Sequence, residues 1–221
     1  MASKYKPILF STEMVQAILE GRKTQTRRIV KPQPTLGNGT WDVRNLDEFF
    51  DENGKYCCIP KINTVEVKSV KIKPGDILWV RETWQTTYNE STNNWDSIYK
   101  ADGGFWIDDD GPMKWKPSIF MPRKYARIFL EVTNVRVERL RDISESDAYK
   151  EGFGPVITEE YPAPGKFVNH LNKHHMFTAI DSFASMWVKL NGTGAWKANP
   201  WVWVYEFKVV EKPNDFLITN F

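Results

Sequence analysis

Eight consecutive residues near the N-terminus, Gly21-Arg22-Lys23-Thr24-Gln25-Thr26-Arg27-Arg28, combine a glycine and four cations with two hydroxyls and an amide. We call this segment the basic run. Clustered like charges repel one another, which destabilises a fold unless an anion or a carboxylate balances them. A lysine crowded by arginines loses its proton more easily, so Lys23 is a candidate base near neutral pH. A solvated turn is the ordinary interpretation, but small polar side chains between the cations, directly after a glycine, favour a binding or catalytic site.

The basic run follows a short amphipathic segment that predicts a helix. Its apolar side chains recur at helical spacing, at Met14, Val15, Ile18 and Leu19. Ser11 or Thr12 can cap the start of this helix by accepting a hydrogen bond from a first-turn amide. Gly21 suits the left-handed position at the C-terminal end because it has no Cβ. We therefore expect a strand over residues 5–10, a capped helix, a sharp turn, and an extended basic run that stops at Pro32.

A second candidate group lies on a strong strand that the sequence predicts from Ile77 to Trp84. Because strand side chains alternate, Glu82 shares a face with Leu78 and Val80. Burying an unpaired carboxylate is expensive, so Glu82 needs a cationic partner, and we expect one from the basic run. An ordinary structural salt bridge and a role in binding are equally consistent with this position.

A third candidate lies near the end of a short helix predicted over residues 142–152. Ser144 can cap its start, acidic residues fill its first turn, and Gly152 ends it. Glu151 stands in the last turn, where the helix dipole disfavours an acid by a few tenths of a kcal/mol to about 1 kcal/mol. A residue placed against its local preference indicates either a function or a nearby cation.

The remaining pattern predicts a mixed architecture with insertions. Further strands are expected over residues 65–72, 126–139 and 201–210. An amphipathic helix is expected from Phe177 to Leu190, ending at Asn191-Gly192. Polar stretches rich in glycine and proline indicate insertions near residues 33–64, 85–115 and 153–174. The second of these insertions suits a β-hairpin that covers the site.

Several segments together resemble one known family. The basic run looks like the signature of the ASCH domain, a small β-barrel related to the PUA domains of RNA-modifying proteins. A longer pattern resembles the ASCH proteins that phages and prophages encode, and it also includes residues 6–10, 74–84, 116–122 and 199–207. The resemblance implies a single α+β domain over residues 1–221, with a PUA-like mixed β-barrel, flanking helices and the three insertions.

One branch of this family is similar to small bacterial enzymes that remove the acetyl group from N(4)-acetylcytidine. Their chemistry is attributed to a lysine and a threonine of the signature and to a glutamate at the end of a later helix. These positions match Lys23, Thr26 and Glu151, and the closing arginine of the signature matches Arg28. The resemblance thus implies an amidohydrolase that needs no metal and no cofactor. In this scheme Thr26 attacks or positions a water, Lys23 accepts its proton, and Glu151 protonates the leaving amine.

Other side chains are expected to contact the substrate, a modified nucleoside or RNA or DNA. These candidate binding residues are Arg22, Arg27, Arg28, Glu82, Trp79 and Trp84. The alternative is a non-catalytic module that binds RNA, DNA or a modified base, with the cations on phosphate and an indole stacked on the base. A ribonuclease ranks lower because no acidic metal-binding triad is evident, and a structural or regulatory phage protein is the fourth possibility.

Composition narrows the class of protein further. The 221 residues carry a net charge of only +2, so the chain as a whole is not a general polyanion binder. Adjacent Cys57 and Cys58 cannot easily form an unstrained disulfide, which indicates reduced thiols. His170 and His174 have helical spacing, but no Glu or Cys pattern accompanies them, so we predict no metal site. Because no apolar signal or membrane-length segment occurs, we expect a soluble cytoplasmic protein without membrane association.

Overall fold

The structure is a computed structural model that describes residues 5–31, 33, 71–103, 107–108, 111–155, 167–172 and 175–217. Its helices are α1 (Thr12–Leu19), α2 (Glu145–Lys150) and α3 (Ala179–Asn191). Its strands are β1 (Tyr5–Leu9), β2 (Gln25–Ile29), β3 (Ile77–Arg81), β4 (Trp84–Asn89), β5 (Asn94–Tyr99), β6 (Ile107–Asp108), β7 (Gly111–Pro112), β8 (Phe129–Arg139), β9 (Phe167–Val168), β10 (His175–Met176) and β11 (Trp201–Val210). The chain therefore has the mixed α+β character that the sequence predicts.

Five strands form the main sheet, in the order β1-β3-β8-β11-β2. β1 runs parallel to β3, whereas β3 pairs with β8 and β11 pairs with β2 in antiparallel fashion. Three further sheets have two strands each, β4–β5, β6–β7 and β9–β10. Within the residues that the structure describes, the main sheet ends at β1 and β2 and does not close into a barrel.

The chain divides into two compact units. The first unit contains Met1–Gly21, Gly75–Val132 and Lys208–Phe221, and the second contains Arg22–Pro74 and Thr133–Phe207. Two long strands, β8 and β11, contribute residues to both units.

Local signals in the first unit act as the sequence predicts. Ser11 caps α1 by accepting a hydrogen bond from the Met14 amide at 3.4 Å, and Gly21 has the left-handed φ of +73°. Val15 and Ile18 are buried, but Leu19 is exposed and Ala17 takes its place in the core. The predicted apolar stripe of α1 is therefore wrong at its last residue.

Aromatic side chains form the core of the first unit. Phe216 is fully buried and packs edge-to-face against Tyr5, Trp79 and Phe129, with ring centroids 5.4, 6.1 and 4.7 Å away. The predicted strand from Ile77 to Trp84 is divided, because β3 ends at Arg81 and β4 begins at Trp84. The insertion near 85–115 contains the expected hairpin, formed by β4 and β5.

The second unit holds the basic run from Arg22 onward and both later helices. The basic run continues as β2, as predicted, and pairs with β11. Ser144 caps α2 by accepting from the Asp147 amide at 3.1 Å. The Glu145 carboxylate in turn accepts from the Ala179 amide at 2.6 Å, which joins α2 to the first turn of α3. α3 begins later than predicted, since Phe177 precedes it and is 91% exposed.

Several predicted features lie outside the described residues. They are most of the insertion near 33–64, residues 65–70 of an expected strand, residues 156–166 of the third insertion, Cys57, Cys58 and His174. Among the described helices, none is long and apolar enough to cross a membrane.

Candidate active site

Lys23 and Glu151 meet where the basic run passes the C-terminal end of α2. Lys23 Nζ donates to Glu151 Oε2 at 2.7 Å and to the Glu151 backbone oxygen at 2.9 Å. Their backbones form an antiparallel β-bridge, and the Thr24 amide donates to the Lys150 oxygen at 2.8 Å. Gly152, with φ +96°, ends α2 directly after Glu151. Backbone pairing therefore fixes the register that joins two residues predicted separately from the sequence.

This ion pair is removed from solvent. The side chains are 0% exposed for Lys23 and 3% exposed for Glu151. Burial lowers the pKa of Lys23, the carboxylate of Glu151 opposes this shift, and the charges of Arg28 and Arg27 add to it. The direction agrees with the sequence analysis, but burial, rather than crowding by arginines, is the largest cause. Arg22 is exposed and donates from Nη1 to the Gly152 oxygen at 3.0 Å.

Arg27 lies within a cluster of carboxylates. Nε donates to Glu138 Oε1 at 3.0 Å, Nη1 to Glu151 Oε1 at 3.0 Å, and Nη2 to Asp147 Oδ2 at 3.1 Å. Nη2 also forms an ion pair with Glu138. The Arg27 side chain is fully buried and its guanidinium lies 5.8 Å from the ring centroid of Phe183 in α3. Arg27 was expected to bind substrate, but its guanidinium donates to carboxylates of the protein itself.

A second arginine holds the same carboxylates from β8. Arg136 Nη2 donates to Asp147 Oδ2 at 2.8 Å and Nε donates to Glu138 Oε2 at 3.1 Å, while Nη1 pairs with Glu206 of β11. Burial acts to lower the pKa of Arg136, but these carboxylates outweigh it and raise that pKa. We call Arg27, Arg136, Glu138, Asp147 and Glu206 the carboxylate network.

Thr26 and Arg28 belong to the other face of β2. Gln25 and Arg27 both donate to Asp147 in α2. Gln25 donates to its backbone oxygen at 3.1 Å, and Arg27 donates to its carboxylate at 3.1 Å. Side chains alternate along a strand, so Thr26 and Arg28 leave β2 on the other face. The Arg28 charge still acts on Lys23 and Glu151, because burial lowers the pKa of Arg28 while the Glu151 carboxylate opposes that shift. Thr26 is buried opposite Tyr205 of β11, and Arg28 is half-buried opposite Trp203. The structure therefore joins Lys23 to Glu151 directly, whereas the Thr26 side chain lies on the opposite face of β2.

Glu82 has a partner in the first unit that the sequence analysis did not name. Arg127 donates from Nε and Nη2 to the two Glu82 oxygens, both at 2.9 Å. Its guanidinium also pairs with Asp102 and lies 3.9 Å from the ring centroid of Tyr99. The expected pairing of Glu82 with the basic run is therefore wrong. Glu82 follows β3 and Arg127 precedes β8, and these two strands pair. The order of strands in the sheet, rather than closeness in sequence, therefore brings Glu82 and Arg127 together.

Trp79 and Trp84 lie in the core of the first unit. They are 6% and 5% exposed, and the Trp84 ring packs on Tyr125 with centroids 4.8 Å apart. Lys116 Nζ lies 4.9 Å from the centroid of the Trp84 ring. Neither indole is at a surface where a base can stack. Both belong to the first unit, whereas Lys23 and Glu151 belong to the second.

Sequence reasoning missed the carboxylate network except for Arg27. Arg136 and Glu138 are two residues apart on β8 and so share a face. Glu206 stands on a strand face that otherwise carries Val202 and Val204. Charged side chains at such strand positions could have indicated the network, because a charged group that becomes buried requires a partner of opposite charge.

No group of three or more His, Cys, Asp or Glu side chains within the described ranges is arranged to hold a metal ion. Comparisons of the chain with protein-family models, with curated proteins and with solved structures found no match.

Proposed function

We propose that the protein is an ASCH-type amidohydrolase that removes an acyl group from the exocyclic amine of a modified cytidine. The observation that carries this proposal is the buried contact between Lys23 and Glu151, which supply the lysine and the glutamate of the resembled enzymes. The proposal includes the finer fold assignment, a PUA-like domain. The mixed five-stranded sheet, in which the basic run forms a strand beside β11, supports that assignment.

The Lys23–Glu151 pair has the properties that amide hydrolysis requires of an acid–base pair. Hydrolysis needs a proton acceptor for the nucleophile and a proton donor for the leaving amine. Burial lowers the pKa of Lys23, which favours the neutral amine as a base. The 2.7 Å hydrogen bond gives that proton a direct path to the Glu151 carboxylate.

In the proposed reaction the Lys23 ammonium first passes a proton to the Glu151 carboxylate, which leaves a neutral amine and a carboxylic acid. An oxygen nucleophile bonds to the acyl carbon while its proton passes to the Lys23 amine, and Arg28 stabilises the oxyanion. The carbon–nitrogen bond then breaks, and its electron pair stays on the cytosine amine, which takes a proton from Glu151. Lys23 is then again an ammonium and Glu151 a carboxylate, which restores the ion pair. The nucleophile is either the Thr26 hydroxyl, which gives an acyl-threonine that water hydrolyses, or a water that Thr26 positions. Because Thr26 leaves β2 on the face opposite to Lys23, a bridging water carries the proton of the Thr26 hydroxyl to the amine in the first case.

Charge compensation favours this activity over phosphate binding. Lys23 and Arg27 are buried and paired with carboxylates, so two of the four cations of the basic run are not presented to a nucleic-acid backbone. Counterion release by exposed cations is the usual source of nucleic-acid affinity. A buried acid–base pair suits a single nucleoside, or a base withdrawn from its strand, better than a stacked duplex.

The test is hydrolysis of N(4)-acetylcytidine by the purified protein, with cytidine and acetate quantified by chromatography. Wild-type protein is expected to release both products in equal amounts. Lys23→Met is expected to lower the rate by about 10²- to 10⁴-fold, the usual contribution of a general base. The matched control is Lys208→Met, which removes a 61% exposed lysine in the first unit and should leave the rate unchanged.

Absence of turnover by wild-type protein at high enzyme concentration would overturn the proposal. Salt-sensitive binding of an oligonucleotide by the same inactive protein would then support the non-catalytic alternative.

A further inference from the structure

Two oxygens of one carboxylate have different donors in the candidate site. Glu151 Oε2 accepts from Lys23 and Oε1 accepts from Arg27, at 2.7 and 3.0 Å. Rotating or withdrawing this carboxylate breaks at least one charge-assisted hydrogen bond, and such bonds are the stronger class. The orientation of Glu151 toward Lys23 therefore depends on where Arg27 stands.

Arg27 is itself fixed from the side away from Glu151. Glu138 and Asp147 accept from its Nε and Nη2, so its planar fork contacts three carboxylates on two chain segments, β8 and the α2 helix with its C-terminal cap. A guanidinium presents its donors in a fixed geometry, which a lysine ammonium cannot reproduce. The observed orientation of Arg27 is therefore the one that keeps all of these hydrogen bonds.

Arg136 supports the same arrangement one step further out. It binds the second oxygen of Glu138, shares Asp147 Oδ2 with Arg27, and pairs with Glu206. The network therefore ties together β2, β8, α2 and β11 around the Glu151 carboxylate. Its members carry opposite charges in contact, which satisfies the requirement that buried charges be paired.

We propose that Arg27 is a positioning residue that holds Glu151 against Lys23, and that Glu138 and Asp147, braced by Arg136, fix Arg27 in this role. The catalytic consequence of this proposal rests on the proposed amidohydrolase function. The assignment differs from the sequence-based expectation, in which Arg27 contacts the substrate.

Arg27→Lys separates the two roles because it keeps the charge and removes the fork. A positioning role predicts that kcat for N(4)-acetylcytidine falls about 10- to 100-fold while KM changes less than about twofold, since small misplacements of catalytic groups act on the chemical step. A substrate-binding role predicts a raised KM with an unchanged kcat, and that result would overturn the proposal.

Glu138→Gln is the second variant, because it leaves Arg27 in place and weakens its anchor. It should lower kcat in the same direction as Arg27→Lys. The matched control is Glu131→Gln, the same chemical change at an exposed pair with Lys208, and it should leave kcat unchanged. Equal kcat values for Glu138→Gln and wild type would contradict a role for Glu138.

Nuclear magnetic resonance gives a measurement that does not depend on turnover. The ammonium protons of a buried, hydrogen-bonded lysine exchange slowly, so Lys23 should give an Nζ–Hζ correlation, assigned by its loss in Lys23→Met. Folded Arg27→Lys and Glu138→Gln proteins should shift or broaden this signal, and Glu131→Gln should not. If wild type lacks hydrolase activity, the proposed function fails and this signal still decides the positioning role. An unchanged Lys23 signal in both variants would overturn it.

Discussion

Lys23 Nζ donates to two oxygens of one residue, the backbone oxygen and carboxylate Oε2 of Glu151, at 2.9 and 2.7 Å. The ammonium therefore fixes both the chain path after α2 and the orientation of the carboxylate. Because both side chains are buried, each charge depends on the other for compensation. Loss of Glu151 leaves the Lys23 ammonium without its carboxylate, whereas loss of Lys23 leaves Glu151 with Arg27 as its remaining cation.

This relationship predicts a strongly non-additive pair of substitutions. Lys23→Met should lower the free energy of unfolding by about 3 kcal/mol, at the low end for a broken buried pair, because Arg27 still contacts Glu151. Adding Glu151→Gln should recover part of that loss, since the isosteric amide carries no charge. Urea unfolding of the wild type, both single variants and the double variant measures the coupling. Additive effects within about 0.5 kcal/mol would mean that the two groups do not interact.

The lowered pKa of Lys23 predicts how this residue's contribution to stability changes with pH. The unfolded chain holds the lysine proton up to the ordinary value of 10.5, whereas the folded protein releases it at lower pH. Between these two values the unfolded state binds more protons, so the stability of wild type relative to Lys23→Met should rise with pH. Urea midpoints of the two proteins, measured from about pH 7 to about pH 10, test this, because that range lies below the ordinary pKa of lysine. A difference that falls with pH would contradict the lowered pKa.

Thr26 allows the two proposed nucleophiles to be separated. If its hydroxyl attacks, Thr26→Ser should keep measurable activity, Thr26→Val should lose it, and wild type quenched during turnover should gain the mass of one acyl group on the peptide that holds Thr26. If Thr26 positions a water, the same quench should show no covalent adduct, although Thr26→Ser should again be more active than Thr26→Val. Full activity of Thr26→Val would exclude both roles.

Local features of this fold were predictable because their causes lie within a few residues. Ser11 and Ser144 cap helices, and Gly21 and Gly152 have the positive φ that ends them. The unfavourable position of Glu151 at the end of α2 indicated a nearby cation, and Lys23 is that cation. These signals involve backbone geometry and single side chains, which do not depend on the strand order.

Partners across the sheet could not be predicted in the same way. Glu82 was expected to pair with the basic run, but β3 lies beside β8 and the Glu82 carboxylate binds Arg127, which precedes β8. Arg136 and Glu206 meet because the main sheet places β8 beside β11. Such pairs follow from strand order, which alternation within a single strand does not determine.

The Glu82–Arg127 pair predicts a structural role in the first unit. Arg127→Met leaves the buried Glu82 carboxylate without its bidentate partner and should lower the free energy of unfolding by about 3 kcal/mol. Glu82→Gln in the same protein should restore part of this loss. Circular dichroism during urea unfolding measures both effects. If Glu82 instead binds substrate, Glu82→Gln alone should raise KM for N(4)-acetylcytidine by more than about tenfold, because the substrate would lose one hydrogen bond to a charged group.

Tyr5 predicts a second pH dependence, at alkaline pH and with the opposite sign. Burial raises the pKa of Tyr5 to about 12, and its hydrogen bond to Asp215 acts in the same direction. Between the ordinary value of 10.0 and about 12 the unfolded chain loses the phenol proton while the folded protein keeps it, so stability should fall as pH rises. Tyr5→Phe removes this proton and should lose less stability than wild type across the same window.

Ultraviolet titration of tyrosinate in the folded protein measures the Tyr5 ionisation directly. The difference between wild type and Tyr5→Phe should contain one phenol that ionises near pH 12, the raised value. Tyr88→Phe is the matched control, because it makes the same chemical change at an exposed tyrosine of the β4–β5 hairpin and should leave the Tyr5 ionisation unchanged. A Tyr5 difference that ionises at the ordinary value of 10.0 would show that the phenol is not held by burial and Asp215, and the packing of Tyr5 against Phe216 would then need a different account.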